Sequence, residues 1–178
     1  MAAMHVVLCA LSPARQKMLE EEPELLDEVL SSRREVAIPG LLDLGNAWDA
    51  LDRLVTAGKL EGPLADAVLG RGGRPFGVRG AIGRPRLLDA KRVTEIATAL
   101  DALPADVVRQ RYKLLAGKNV HGDYAKDVPE PDDPAYLKQK VKETTDREIA
   151  ELEAVFKQLR DTYAKAAAAN HAVVVSVA

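Results

Sequence analysis

At 178 residues the chain is long enough to bury a core unaided and short enough for one domain, here taken as 1–178. Apolar residues at 47% and charged residues at 29% match ordinary globular usage, which excludes global disorder. With 25 basic against 27 acidic residues the net charge is −2, without the clustered basic excess of a nucleic-acid binder.

Aromatics are scarce: two Phe, four Tyr and one Trp cannot readily supply a platform for stacking bases or sugars. The core must therefore be mainly aliphatic. No segment approaches the roughly 20 apolar residues of a membrane helix, and the start lacks a basic n-region. A lone cysteine, Cys9, cannot form an internal disulfide and suits a reducing compartment. These features lead us to expect a cytoplasmic protein with no membrane partner.

His5 to Leu11 is a continuous apolar run and reads as a buried strand. Ser12-Pro13 then supplies a cap and a first-position proline for a short helix over Ala14 to Glu22. A second helix is expected over Glu24 to Ser31, burying Leu25, Leu26, Val29 and Leu30. Arg33 to Leu42 is mixed and contains the turn signal Pro39-Gly40. Asp43 suits the cap of a helix from Leu44 to Ala57, whose apolar stripe includes Trp48, and Gly58 suits its end.

Pro63 opens a further helix to Leu69. Gly70 to Arg86 follows, with six glycines, two prolines and five arginines, the most unusual stretch of the chain. Arg86-Leu87-Leu88 reads as a short extended piece, and Asp89 as the cap of a helix from Ala90 to Leu103. Pro104 opens a helix to about Leu115. A polar loop over 117–133 leads to the longest helix, from Pro134 to near Ala169, with Val141, Ile149, Leu152, Val155, Phe156, Leu159 and Tyr163 as its buried line. Asn170 is a suitable left-handed terminator, and Ala172 to Val177 is a β-branched strand. Strands at the two chain ends and about seven helical segments predict an α+β fold, with the terminal strands paired in one small sheet and the helices packed on it.

Three segments together resemble the YfbM-like family, a bacterial domain of unknown function: the first strand with Leu11-Ser12-Pro13 and its acidic helix, Asp43 to Leu51 with Leu54 to Gly58, and Leu159 to Val177. Pro85 to Leu103 is similar as well, so the likeness spans most of the chain. It implies a fold and no reaction. The chain departs from the family in its arginines before Pro85, and in having His121 to Tyr124 where relatives carry a tryptophan–aspartate pair.

Two loops and one helix face offer chemistry. In the glycine-rich loop, backbone N–H groups beside Arg74, Arg79 and Arg84 could cradle a phosphate, or the loop is a solvated connection. Its spacing matches neither the dinucleotide nor the P-loop fingerprint. His121, Asp123 and Tyr124 join an imidazole, a carboxylate and a phenol in one loop, with no second histidine near in sequence. Trp48, with Asp43 and Asn46, could line a pocket, although a tryptophan on an apolar stripe is usually core. His5 and His171 flank the terminal strands, which would put them near each other across the sheet. No His-x-x-His or Cys-x-x-Cys spacing suggests a metal, no fingerprint suggests a cofactor, and Cys9 in a buried strand should be inert.

The expected class is a binding or accessory protein for a protein partner or small anionic ligand, with an antidote-type role among its forms. The alternative is a hydrolase or transferase acting on a phosphorylated small molecule, with the arginine loop as anion clamp and His121 or Asp123 as the acid–base group. The test between them is whether Arg74, Arg79 or Arg84 shares one concavity with His121 and Asp123.

Overall fold

A five-stranded, wholly antiparallel sheet of order β2-β1-β5-β4-β3 organises the chain in the computed structural model, which describes residues 4–31, 39–79, 83–116, 118, 120–122, 124 and 134–177. Its centre is the pair of terminal strands, β1 (Val6–Leu11) and β5 (Ala172–Val177), in unbroken register from Val6 opposite Val177 to Leu11 opposite Ala172. β-Branched residues on β5 suit a strand with both faces covered. The expected pairing of the terminal strands and the α+β class are thus observed.

The remaining strands are short. β2 (Leu41–Asp43) pairs with β1, and β4 (Arg86–Leu88) pairs with β5. β3 (Arg74–Pro75) closes the far edge against β4. Strands were expected at the two chain ends and a third as an extended piece; β2 and β3 are additions. Elements of two and three residues carry no readable periodicity and exist because a neighbouring strand edge pairs with them.

Alternation along the strands sends residues to two cores. Val6, Leu8, Val173 and Val175 face one side, where α3 (Trp48–Thr56), α5 (Ala90–Asp101), α6 (Val107–Arg111) and α7 (Pro134–Ala168) bury Leu51, Ile96, Val108, Leu152 and Leu159. Val7, Cys9, Leu11 and Val174 face the other, under α1 (Pro13–Glu21), α2 (Leu25–Ser31) and Phe76. The period-2 pattern of a strand covered on both faces explains why these runs are apolar throughout.

Most expected helices are present with local signals intact. Ser12 Oγ accepts from Arg15 N–H at 3.3 Å, and Asp89 Oδ1 from Arg92 N–H at 2.8 Å. Asn170 holds φ +53 after α7. Four expectations shift. Asp43 does accept from Gly45 N–H at 2.8 Å, but Gly45–Ala47 is a 3-10 turn and α3 begins only at Trp48. α3 ends at Thr56 rather than Ala57, and Ala57 is its cap with φ +49, one residue before the expected glycine. α4 (Pro63–Asp66) stops short of Leu69, and residues 67–69 continue as a turn to Gly70, whose N–H donates to the Asp66 carbonyl at 2.9 Å. The helix expected from Pro104 to Leu115 is α6 followed by a 3-10 turn over Tyr112–Leu115 that carries Leu115 into the core.

α7 has 35 residues, a length of about 52 Å, and its buried core residues begin at Ile149 among those described. Val141, expected in its buried line, is 42% exposed. Among the described residues no helix is long and apolar enough to cross a membrane.

Candidate functional site

α3 lies where the most polar groups meet. Its residues Asp49, Asp52, Arg53 and Thr56 stand at i, i+3, i+4 and i+7, a polar stripe opposite the apolar one. Yet Asp52 and Thr56 are only 7% and 4% exposed. What covers them is the start of the glycine-rich loop: Arg71 donates to both oxygens of Asp52, at 2.8 and 2.5 Å, and to the Ala65 carbonyl at 2.6 Å. The fork geometry of the guanidinium suits this bidentate contact, and Asp52 in turn holds the Arg71 guanidinium above its ordinary pKa.

A second internal pair lies beside it. Asp66, 2% exposed, accepts from Gly72 N–H at 2.7 Å and Arg92 Nε at 2.6 Å. Arg92 also reaches Glu95, and these two hydrogen bonds, Glu95's first, raise its pKa. Gly70, at φ +58, lets the loop cross the sheet closely; a Cβ there would sit 3.1 Å from Val175 and 3.2 Å from Arg86. The loop is thus pinned at its beginning rather than splayed. At the other end of α3, Arg111 donates to the carbonyls of Leu54 and Val55, at 2.7 and 3.0 Å, satisfying last-turn acceptors.

The sequence candidates divide between two places. Trp48 is half-buried at the start of α3; its indole N–H donates to the Met4 carbonyl at 3.2 Å, and its ring lies 5.5 Å from that of His121. The His121 backbone N–H donates to Asp49 Oδ2 at 2.9 Å, while Asp49 Oδ1 accepts from Arg53 at 2.9 Å. Gly122, at φ +93, packs so closely on Asn46 that only glycine fits. Tyr124 is half-buried, its phenol raised in pKa by burial and then by Glu151 and Glu148. Trp48, His121 and Tyr124 therefore gather on the N-terminal side of α3. Asp123 lies outside the described residues.

The arginines are elsewhere. Arg74 sits on β3, paired with Glu20 of α1 and 5.6 Å above the Phe76 ring. Glu20 is lowered in pKa, by hydrogen bonds from Gln16 and then Arg74. Arg79 and Arg84 are exposed in the same loop, around 80–82, which are not described. β3 and β2 are opposite edges of a five-stranded sheet, about 19 Å apart at strand spacing. The structure does not bring Arg74 into a concavity with His121. Nor are His5 and His171 neighbours: antiparallel register puts them at opposite ends of the β1–β5 pair, with His5 3.5 Å from Asp43 instead.

Between α3, the pinned loop and the 3-10 turn runs a cleft of about 510 Å³. Asp52, Arg53, Thr56 and Arg71 form its polar wall, and Leu69 part of its apolar one. Leu60 and Leu114 stand on its lip, 69% and 43% exposed. Sequence reasoning passed over this cleft. The signal available was the polar i, i+3, i+4, i+7 stripe of Asp49, Asp52, Arg53 and Thr56 on α3. Its carboxylates are engaged by guanidinium and amide donors, which fixes a rigid polar surface. Among the described residues no group of three His, Cys, Asp or Glu side chains is placed to hold a metal ion.

The fold is similar to the crystal structure of YfbM from Escherichia coli, a protein of unknown function, with a TM-score of 0.59 over 98% of this chain and 99% of that one at 16% identity. Comparison with curated proteins finds no match. A family model described as a domain of unknown function, DUF1877, matches residues 3–176, and the chain belongs to that family.

Proposed function

We propose that the protein is a recognition module whose α3 cleft receives a partner protein. The observation that carries this reading is the pair of exposed leucines, Leu60 and Leu114, on the lip of one cleft whose polar wall is held rigid by the Asp52–Arg71 pair. Apolar anchors entering a pocket beside fixed polar groups are the usual centre of a protein interface. An antidote-type role is one form of such recognition. A cytoplasmic location belongs to the same proposal and is supported by the lone, buried Cys9.

The alternative, a hydrolase or transferase acting on a phosphorylated small molecule, would have drawn support from arginines sharing a concavity with His121. Arg74 is instead engaged by Glu20 at the far edge of the sheet.

Site-directed photo-crosslinking from position 60 in the native host tests the proposal. A discrete adduct is expected, and it should vanish when Leu114→Asp is added at unchanged thermal stability. A crosslinking pattern no different from that of an exposed control position, such as Lys17 on α1, refutes the cleft as the docking surface.

A further inference from the structure

A separate pocket opens at the other end of β1 from Trp48, where the start of α1, the approach to β2 and the last turns of α7 meet. Its volume is about 510 Å³, within the range of small-molecule sites. Three cationic or titratable bases line it, Arg15, Lys165 and His171, together with the hydroxyls of Ser12 and Thr162. Among the described residues no carboxylate lines it and none of the three bases has an ion-pair partner. Six other arginines, Arg53, Arg71, Arg74, Arg92, Arg109 and Arg160, each have a carboxylate partner.

The position of Arg15 sharpens the contrast. It occupies the first turn of α1, whose nine residues include no acidic group there. The helix dipole makes a cation unfavourable at that end and an anion favourable. Arg15 on this helix terminus faces Lys165 of the last turn of α7 and His171 across the pocket, which gathers several hydrogen-bond donors around one space. Ser12 Oγ accepts from Arg15 N–H, which leaves its own hydroxyl proton to donate outward. The His171 backbone is anchored by donation to the Ala166 carbonyl at 2.8 Å, so its ring is carried on fixed main chain. Ala10, Leu41 and Ala166 supply an apolar wall beside the charges.

We infer that the pocket bounded by Arg15, Lys165 and His171 binds a small phosphate monoester, with the phosphate held by the three bases and two hydroxyls and the organic part against Ala10 and Leu41. A tetrahedral dianion takes donors from several directions and gains more than a monoanion from converging charges. The site is independent of the α3 cleft, which lies along a different helix.

The test is a titration of isotope-labelled protein followed by NMR at the His171 ring and the Thr162 and Gly40 amides, at constant ionic strength. Inorganic phosphate and glycerol 3-phosphate are added in turn, with succinate as the carboxylate arm. Saturable shifts confined to these residues are expected for both phosphates, the monoester tighter. Arg15→Gln and Lys165→Gln should each weaken binding about tenfold, as loss of a charge-assisted hydrogen bond would. Lys165→Arg should keep it within about threefold, and Lys157→Gln, which removes a lysine of α7 from a different groove, should leave it unchanged. Shifts that fail to saturate, or that weaken equally with Lys157→Gln, overturn the site. Succinate binding more tightly than either phosphate overturns the phosphate assignment.

Discussion

Replacing Arg71 with alanine tests whether the glycine-rich loop is an internal brace. The change removes three donated hydrogen bonds, two to Asp52 and one to the Ala65 carbonyl. It leaves a carboxylate whose side chain is 10% accessible without its cation. Breaking a fully buried pair costs about 3–5 kcal/mol. The Arg71 side chain is 30% accessible, so water can enter behind it, and the expected loss is about 2–4 kcal/mol. For a chain of this size that corresponds to a fall in Tm of roughly 5–15 °C. Urea unfolding of Arg71→Ala, Asp52→Ala and the double variant gives the coupling directly. The double variant should be less destabilised than the sum of the singles by more than about 1 kcal/mol, because it contains no orphaned charge. A loss below about 0.5 kcal/mol for Arg71→Ala, with additive singles, would refute the brace and return Arg71 to the solvated surface.

Two further outcomes follow from buried groups. Tyr163 is fully buried, with its hydroxyl donating to the Ala67 carbonyl at 2.9 Å, so Tyr163→Phe should cost about 1–3 kcal/mol in denaturant unfolding by orphaning that acceptor; an unchanged midpoint would mean the carbonyl finds another donor. Burial pushes the Cys9 thiol pKa up from its ordinary 9.0, more than Arg15 pulls it down. A raised folded-state pKa contributes stability that is intact below the unfolded value and lost as pH rises through the folded one, so Cys9 should help make the protein less stable above about pH 9. Cys9→Ala should flatten the onset of that decline. The native thiol should react with a disulfide reagent only at the rate of unfolding, and rapid labelling of folded protein would contradict its burial.

Local signals were legible wherever one segment carries its own cause. β1 and β5 are apolar runs bounded by caps, α1 and α5 begin at Ser12 and Asp89, and α7 ends before Asn170, all as the chain alone indicates. The family resemblance lay in the same segments. Trp48, His121 and Tyr124 were recognisable as candidates, but nothing in their spacing revealed that Asp49 ties the 121 loop to α3.

Tertiary structure decided the rest. β2 and β3 exist because strand edges receive them, and the carboxylate of Asp66, the last residue of α4, is buried because Gly72 and Arg92 meet it. The arginines show the division most clearly. Five in one glycine-rich loop look alike in sequence, yet Arg71 is an internal brace 19 residues from its carboxylate, Arg74 pairs across 54 residues, and Arg79 and Arg84 face solvent. Arg15 and Lys165, from opposite ends of the chain, meet at one pocket elsewhere. A side chain's type states what charge it carries; whether that charge is neutralised depends on which distant segment the fold sets against it, because ion pairing acts over a few ångströms of space and is indifferent to separation along the chain.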